Sequence, residues 1–156
     1  GKILGMDVIN VPGATGYYDT DYAGKARAAL DSLKKDDLCF IHIEAPDEAG
    51  HNGDLREKIT AIERCDQLVL GTILEAFKET SDFRILVMPD HATPISLKTH
   101  SSDIIFFCMY GKGIKAKHFS AFHLLLLPSH KGCFLLEWLP QKQPSHLFLP
   151  GDTIPL

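Results

Sequence analysis

The chain has 156 residues, enough for one domain with its own hydrophobic core. Apolar residues make up 45% and charged residues 23%, ordinary globular values that exclude a disordered or low-complexity chain. Sixteen Lys and Arg against 20 Asp and Glu leave a net charge of −4, which excludes nucleic-acid binding through bulk positive charge.

Residues 6–11 (MDVINV) predict a short strand ended by Pro12-Gly13. A Gly- and Tyr-rich loop follows over 13–20. Tyr22, Ala26, Ala29, Leu30 and Leu33 recur at helical spacing, which predicts a helix over 21–35 capped by Asp19 or Thr20. Residues 38–43 (LCFIHI) are apolar nearly throughout, as a strand covered on both faces should be. A polar loop is expected over 44–53. A long helix over 55–79 carries Leu55, Ile59, Ile62, Val69, Ile73 and Phe77 as its buried stripe. Asp54, with Glu57 three residues on, forms its capping-box-like start. Residues 83–88 (FRILVM) and 104–110 (IIFFCMY) read as the third and fourth strands. The alternation argues for βαβ units and an α/β fold with a largely parallel sheet. Polar segments follow the second and third strands, where open α/β sheets place their sites.

Residues 117–156 differ. They hold five of the nine prolines and four of the eight histidines, with no clean strand–helix alternation. The division is therefore a domain over 1–116 and an atypical Leu-, Pro- and His-rich tail over 117–156. Its pattern specifies structure poorly: a short helix near 119–127 followed by irregular extended chain is one reading, and a disordered tail is the other. The longest apolar run, 104–110, is far below the roughly 18 residues of a membrane span, so no membrane partner is expected. Four cysteines (39, 65, 108, 133) lie far apart without a Cys-x-x-Cys pair, and three sit in apolar or helical patterns, which predicts buried free thiols in a reducing cytoplasm. No signal peptide opens the chain, and Gly1 in place of an initiator Met points to a processed or partial chain.

Three polar clusters could do chemistry: EAPDEAGHNGD (44–54), Pro89-Asp90-His91, and THSSD (99–103). Together they offer carboxylates and imidazoles at neighbouring strand ends. Hard oxygen plus imidazole suits Mn²⁺, Zn²⁺ or Mg²⁺. Two such ions about 3.5–4 Å apart clamp a phosphoryl group and activate a nucleophile. The alternative is that these are solvated loop residues, since Asp-x-x-x-His and Asp-His both arise by chance. His42 reads as a core histidine, and His118, His123, His130 and His146 in the tail lack paired carboxylates. Gly13-Ala14-Thr15-Gly16 lacks the Gly-Lys-Ser/Thr ending of a phosphate loop. No Ser sits in a Gly-x-Ser-x-Gly elbow.

The strings VPGATGY (11–17), DTDY (19–22) with Gly24-Lys25, EAPDEAGHNGD (44–54), Pro89-Asp90-His91 and Thr99-His100 resemble, in this order, the archaeal-type cofactor-independent phosphoglycerate mutases of the alkaline phosphatase superfamily. The resemblance covers residues 1 to roughly 115. It implies a three-layer, mostly parallel sheet flanked by helices, of which this chain is the C-terminal part of the metal-binding catalytic domain. It implies the interconversion of 3-phosphoglycerate and 2-phosphoglycerate, with two divalent ions: manganese first, then magnesium, zinc or cobalt. Asp47, His51 and His100 would hold one ion, and Asp90 and His91 the other. An aspartate and the nucleophilic serine that complete the second site are expected in a segment before Gly1. No catalytic nucleophile is then expected in this chain, its partner is the missing N-terminal part, and the isolated chain should be inactive. The same metal residues leave open a metal-dependent phosphohydrolase, or a non-catalytic fragment.

Overall fold

Asp21 turns the chain into its first helix, its carboxylate accepting from the Gly24 N–H at 2.7 Å. This computed structural model describes residues 1–115 and, for the backbone alone, 133–137. Helix α1 spans Tyr22–Ser32. It buries Tyr22, Ala26 and Ala29, with Leu33 just past its end, at the predicted spacing. Strand β1, Leu38–His42, alternates strictly: Cys39 and Ile41 face inward, while Leu38, Phe40 and His42 are exposed. The expected strand covered on both faces is thus covered on one. His42 is not a core histidine; its Nδ1 lies 3.2 Å from Glu44 Oε2 at the exposed strand end.

The segment expected to be a polar loop is helix α2, Ala45–Asn52. Pro46 fits the first turn because it has no N–H to waste there. Asp47 and Glu48 in that turn suit the positive helix end. Gly53 stops the helix at φ 71°, a left-handed turn that glycine adopts without strain. The helix was hidden because it buries small and polar residues rather than an apolar stripe.

Asp54 Oδ1 accepts from the Glu57 N–H at 2.9 Å and starts α3, Leu55–Arg64. The helical path continues through a π segment, Cys65–Leu70, into α4, Gly71–Ala76. Ala61, Cys65, Val69 and Ile73 form its buried stripe, one residue in four. Such a stripe drifts by about 40° per step around an α-helix, and the wider π turns bring it back toward the core. Leu55 and Ile59, assigned to this stripe from the sequence, are exposed instead.

Strand β2, Arg84–Met88, has β3, Cys108–Gly111, on one side and β4, Cys133–Glu137, on the other. The sheet order is β1-β4-β2-β3. Among the described residues every pairing is antiparallel: Ile85 faces Leu136 and Tyr110, and Cys39 faces Leu136. The mostly parallel sheet is therefore corrected. β1 and β2 do run the same way, as a βαβ crossover demands, but β4 lies between them in the opposite direction. β3 returns antiparallel because residues 89–107 hold turns and no crossover helix. Residues 6–11 form no strand, and the strand expected over 104–110 is confined to Cys108–Gly111. β4 comes from the tail. The expected helix at 119–127 and the four tail histidines lie outside the described residues.

Tyr22, Ala26, Ala29, Ala61, Cys65, Val69, Ile73, Cys39, Ile41 and Ile85 join in one core between the helices and one sheet face. Among the described residues the helices cover that face alone, and no helix is long and apolar enough to cross a membrane. Burial pushes the Cys65 thiol up to about 12 and raises Cys39 as well, whereas Cys108 is exposed rather than buried. A raised pKa starves a thiol of its reactive thiolate. Alkylation at pH 8 followed by peptide mapping should therefore mark Cys108 and spare Cys39 and Cys65. Equal labelling of Cys65 and Cys108 in the native chain would contradict this packing.

Candidate metal centre

Helix α2 puts Asp47 and His51 one turn apart on the same face. Asp47 is only 3% exposed, and a buried carboxylate must be hydrogen-bonded. The Thr93 hydroxyl donates to Asp47 Oδ1 at 2.7 Å. The same oxygen lies 3.3 Å from His51 Nε2 and 3.7 Å from His100 Nε2. The two imidazole nitrogens are 3.1 Å apart. One carboxylate oxygen and two ring nitrogens thus converge on one point.

The orientation of His51 is set from behind. Its Nδ1 lies 3.0 Å from the Lys98 carbonyl. A carbonyl can only accept, so Nδ1 carries the hydrogen and Nε2 of the neutral ring turns its lone pair toward Asp47 and His100. Lys98 has φ 53°, the one non-glycine residue with positive φ among the described residues. That strained turn aims its carbonyl at the ring. A Cβ at Gly53 would meet the flexible end of the Lys98 side chain, so the end of α2 and the Lys98 turn lie side by side.

His91 and Asp90 follow β2. The His91 ring packs on His100 with centroids 3.6 Å apart. Asp47, His91 and His100 each offer one ligand atom, all within 4.8 Å of one another. Asp90 sits further out, with Oδ2 3.8 Å from His91 Nε2 and its side chain 48% exposed. It opens instead onto a cleft of about 1030 Å³ shared with Lys25 and His42. The structure therefore gathers Asp47, His51, His91 and His100 and leaves Asp90 at the margin. The donor set, one buried carboxylate with several imidazoles, fits a borderline divalent cation.

Sequence reasoning missed three supports of this site: Thr93, Lys58 and the Lys98 carbonyl. Lys58 left one trace, a charged residue in helical phase with buried Ala61 and Cys65. Thr93 and Lys98 left none beyond their closeness to His91 and His100. Beside His51, the Asn52 amide donates to the Tyr17 and Tyr18 hydroxyls at 3.2 and 2.7 Å and ties the stacked tyrosines to α2.

A family model described as the metalloenzyme superfamily matches residues 1–126. A curated protein of Methanosarcina acetivorans named 2,3-bisphosphoglycerate-independent phosphoglycerate mutase is 58% identical over 113 residues, 70% of this chain and 28% of that protein. One of the same name from Methanothrix thermoacetophila is 48% identical over 123 residues, 78% of this chain and 31% of its own length. The solved PH0037 protein of Pyrococcus horikoshii superposes with a TM-score of 0.68 at 34% identity, covering 73% of this chain and 34% of that one. The chain thus spans 28–31% of the length of these two curated relatives.

Gly50 is where α2 approaches the Thr93 segment most closely. A Cβ there would lie 2.7 Å from the Thr93 carbonyl oxygen. Gly50→Ala should destabilise the chain by about 1–3 kcal/mol, the usual range for overpacking a tight interior. A melting temperature equal to that of the parent would show that α2 does not dock as described.

Proposed function

The chain belongs to the metalloenzyme superfamily, and on that premise we propose that it carries the divalent-metal centre of a phosphoglycerate mutase. The observation that supports this most is the convergence of Asp47 Oδ1, His51 Nε2 and His100 Nε2, with separations of 3.3, 3.7 and 3.1 Å. In this reading those three residues hold one ion, and Asp90 with His91 contributes to a neighbouring one. His51 is taken for the first ion because its Nε2 lies 3.3 Å from Asp47 Oδ1 and 3.1 Å from His100 Nε2 and its tautomer is fixed by the Lys98 carbonyl. Manganese suits the mixed oxygen and nitrogen donors, as magnesium, zinc or cobalt would with different strengths.

Bound divalent ions at such a site neutralise phosphoryl oxygens and lower the pKa of an adjacent hydroxyl. The residues of this chain prepare that chemistry. Asp47 supplies the carboxylate, which the Thr93 hydroxyl orients by donating to Oδ1. Lys98 keeps the His51 lone pair directed at the centre. His91 packs against His100 at a tilt of 45° and so brings the two ligand groups into contact. The reaction proposed is the interconversion of 3-phosphoglycerate and 2-phosphoglycerate through a phosphorylated serine. Ser101 and Ser102 are poor candidates for that serine: Ser101 Oγ donates to Asp103 at 2.7 Å, and both flank a ligand in an extended segment. The nucleophile is therefore assigned to a part of the relatives that residues 1–156 do not match.

Calorimetric titration of the purified chain with Mn²⁺ tests the centre. Asp47→Asn and His51→Ala should each weaken binding at least ~10-fold, the lower end of what disturbing a metal site does. Unchanged affinity in both variants would refute the assignment. Conversion of 3-phosphoglycerate into 2-phosphoglycerate should be absent with this chain alone. Metal-dependent turnover by it would place the nucleophile within these residues.

A further inference from the structure

Lys58 is buried deeper than any other lysine among the described residues, at 2% exposure. It stands in the first turn of α3, its N–H donating to the carbonyl of the cap residue Asp54 at 3.0 Å. Burying an amine is expensive unless its donors are satisfied, and an apolar side chain of the same volume would pack there more cheaply. Its Nζ donates to the Thr93 carbonyl at 2.7 Å. Thr93 is itself fully buried and points its hydroxyl at Asp47 Oδ1, again at 2.7 Å. Gly50 makes the approach possible: a Cβ there would come within 3.0 Å of the Lys58 Nζ.

Thr93 stands two residues beyond His91, in an irregular segment that β2 has already left. The Ser101 N–H donates to the Ala92 carbonyl at 3.0 Å and pins one side of that segment. The Lys58 amine pins the other. The path Lys58 Nζ, Thr93 carbonyl, Thr93 hydroxyl, Asp47 carboxylate runs without a gap from α3 to the ligand atoms.

We propose that Lys58 is a positioning residue of the metal centre. It clamps Thr93, and through Thr93 it sets both the Asp47 carboxylate and the chain that carries His91. The assignment rests on the metal reading above. Its assigned role is to position, not to react. A lysine is needed because only a long side chain with a terminal donor spans from α3 to the Thr93 peptide.

Mn²⁺ titration and metal-free crystal structures of the whole chain test this together. Lys58→Met should weaken Mn²⁺ binding by about 10–100-fold, as loss of a hydrogen-bonded support behind a ligand does. Thr93→Val should do the same, and the double variant should be little worse than either, because both break one path. Thr93→Ser keeps the hydroxyl and should restore affinity to within about threefold of the parent. The metal-free Lys58→Met structure should show the Thr93 hydroxyl displaced from Asp47. Should Lys58→Met not fold, Lys58→Gln, whose donor falls short of Thr93, is expected to give the same loss. A lower melting temperature with unchanged Mn²⁺ affinity and an intact Thr93–Asp47 bond would make Lys58 merely structural and overturn the proposal. If the parent itself binds no Mn²⁺, the metal reading fails, and the Thr93–Asp47 distance in the metal-free variant still decides the positioning role.

Discussion

The burial of Asp47 is the constraint on which the rest of the site depends. A carboxylate removed from water loses several kcal/mol of solvation, and the fold must return that through directed donors. Thr93 supplies such a donor, and the ring nitrogens of His51 and His100 face the same oxygen at 3.3 and 3.7 Å, the arrangement that a shared cation would bridge. Each of these partners comes from a different segment, so meeting the need of one carboxylate joins α2 to the chain after β2 and to the turn before His100. The close approach at Gly50 and the reach of Lys58 follow from the same requirement.

Helix α2 shows how this is stabilised. Eight residues are too few for a helix to persist alone in water. Pro46 pre-sets its first turn, Gly53 ends it, and Ala45, Ala49 and Gly50 let it lie close against its neighbours. It begins only three residues after β1 ends, at the sheet end where α/β folds gather function. The strain at Lys98 sits in the same place. A left-handed lysine is unfavourable, and it persists because its carbonyl orients His51.

The sheet illustrates a different balance. β1, α3–α4 and β2 form a crossover unit whose apolar faces match the sequence period, so their existence was legible. Their neighbours were not. Strand direction depends on what connects the strands, and the 89–107 segment carries turns rather than a helix, so β3 comes back antiparallel. β4 derives from a tail with no strand-like alternation around it, yet its backbone pairs with both β1 and β2. Pairing of that kind is long-range and leaves no local mark.

Residue spacing alone established the first helix, β1, the core of the long helix and β2, because each is a local repeat of apolar side chains. Local strings also marked Asp47, His51, Asp90, His91 and His100 as the residues worth watching, since carboxylates and imidazoles gathered at neighbouring strand ends can hold a divalent ion. Tertiary structure decided what those residues became. It turned an expected loop into α2, because small buried residues give no apolar stripe to read. It exposed Leu55 and Ile59, because the π segment shifts which face of the helix meets the core. It separated Asp90 from the Asp47 group by the bend after β2. Thr93, Lys58 and the Lys98 carbonyl came into view only in three dimensions, because they act through hydrogen bonds spanning 35 to 47 positions of the chain, a distance over which sequence carries no geometry.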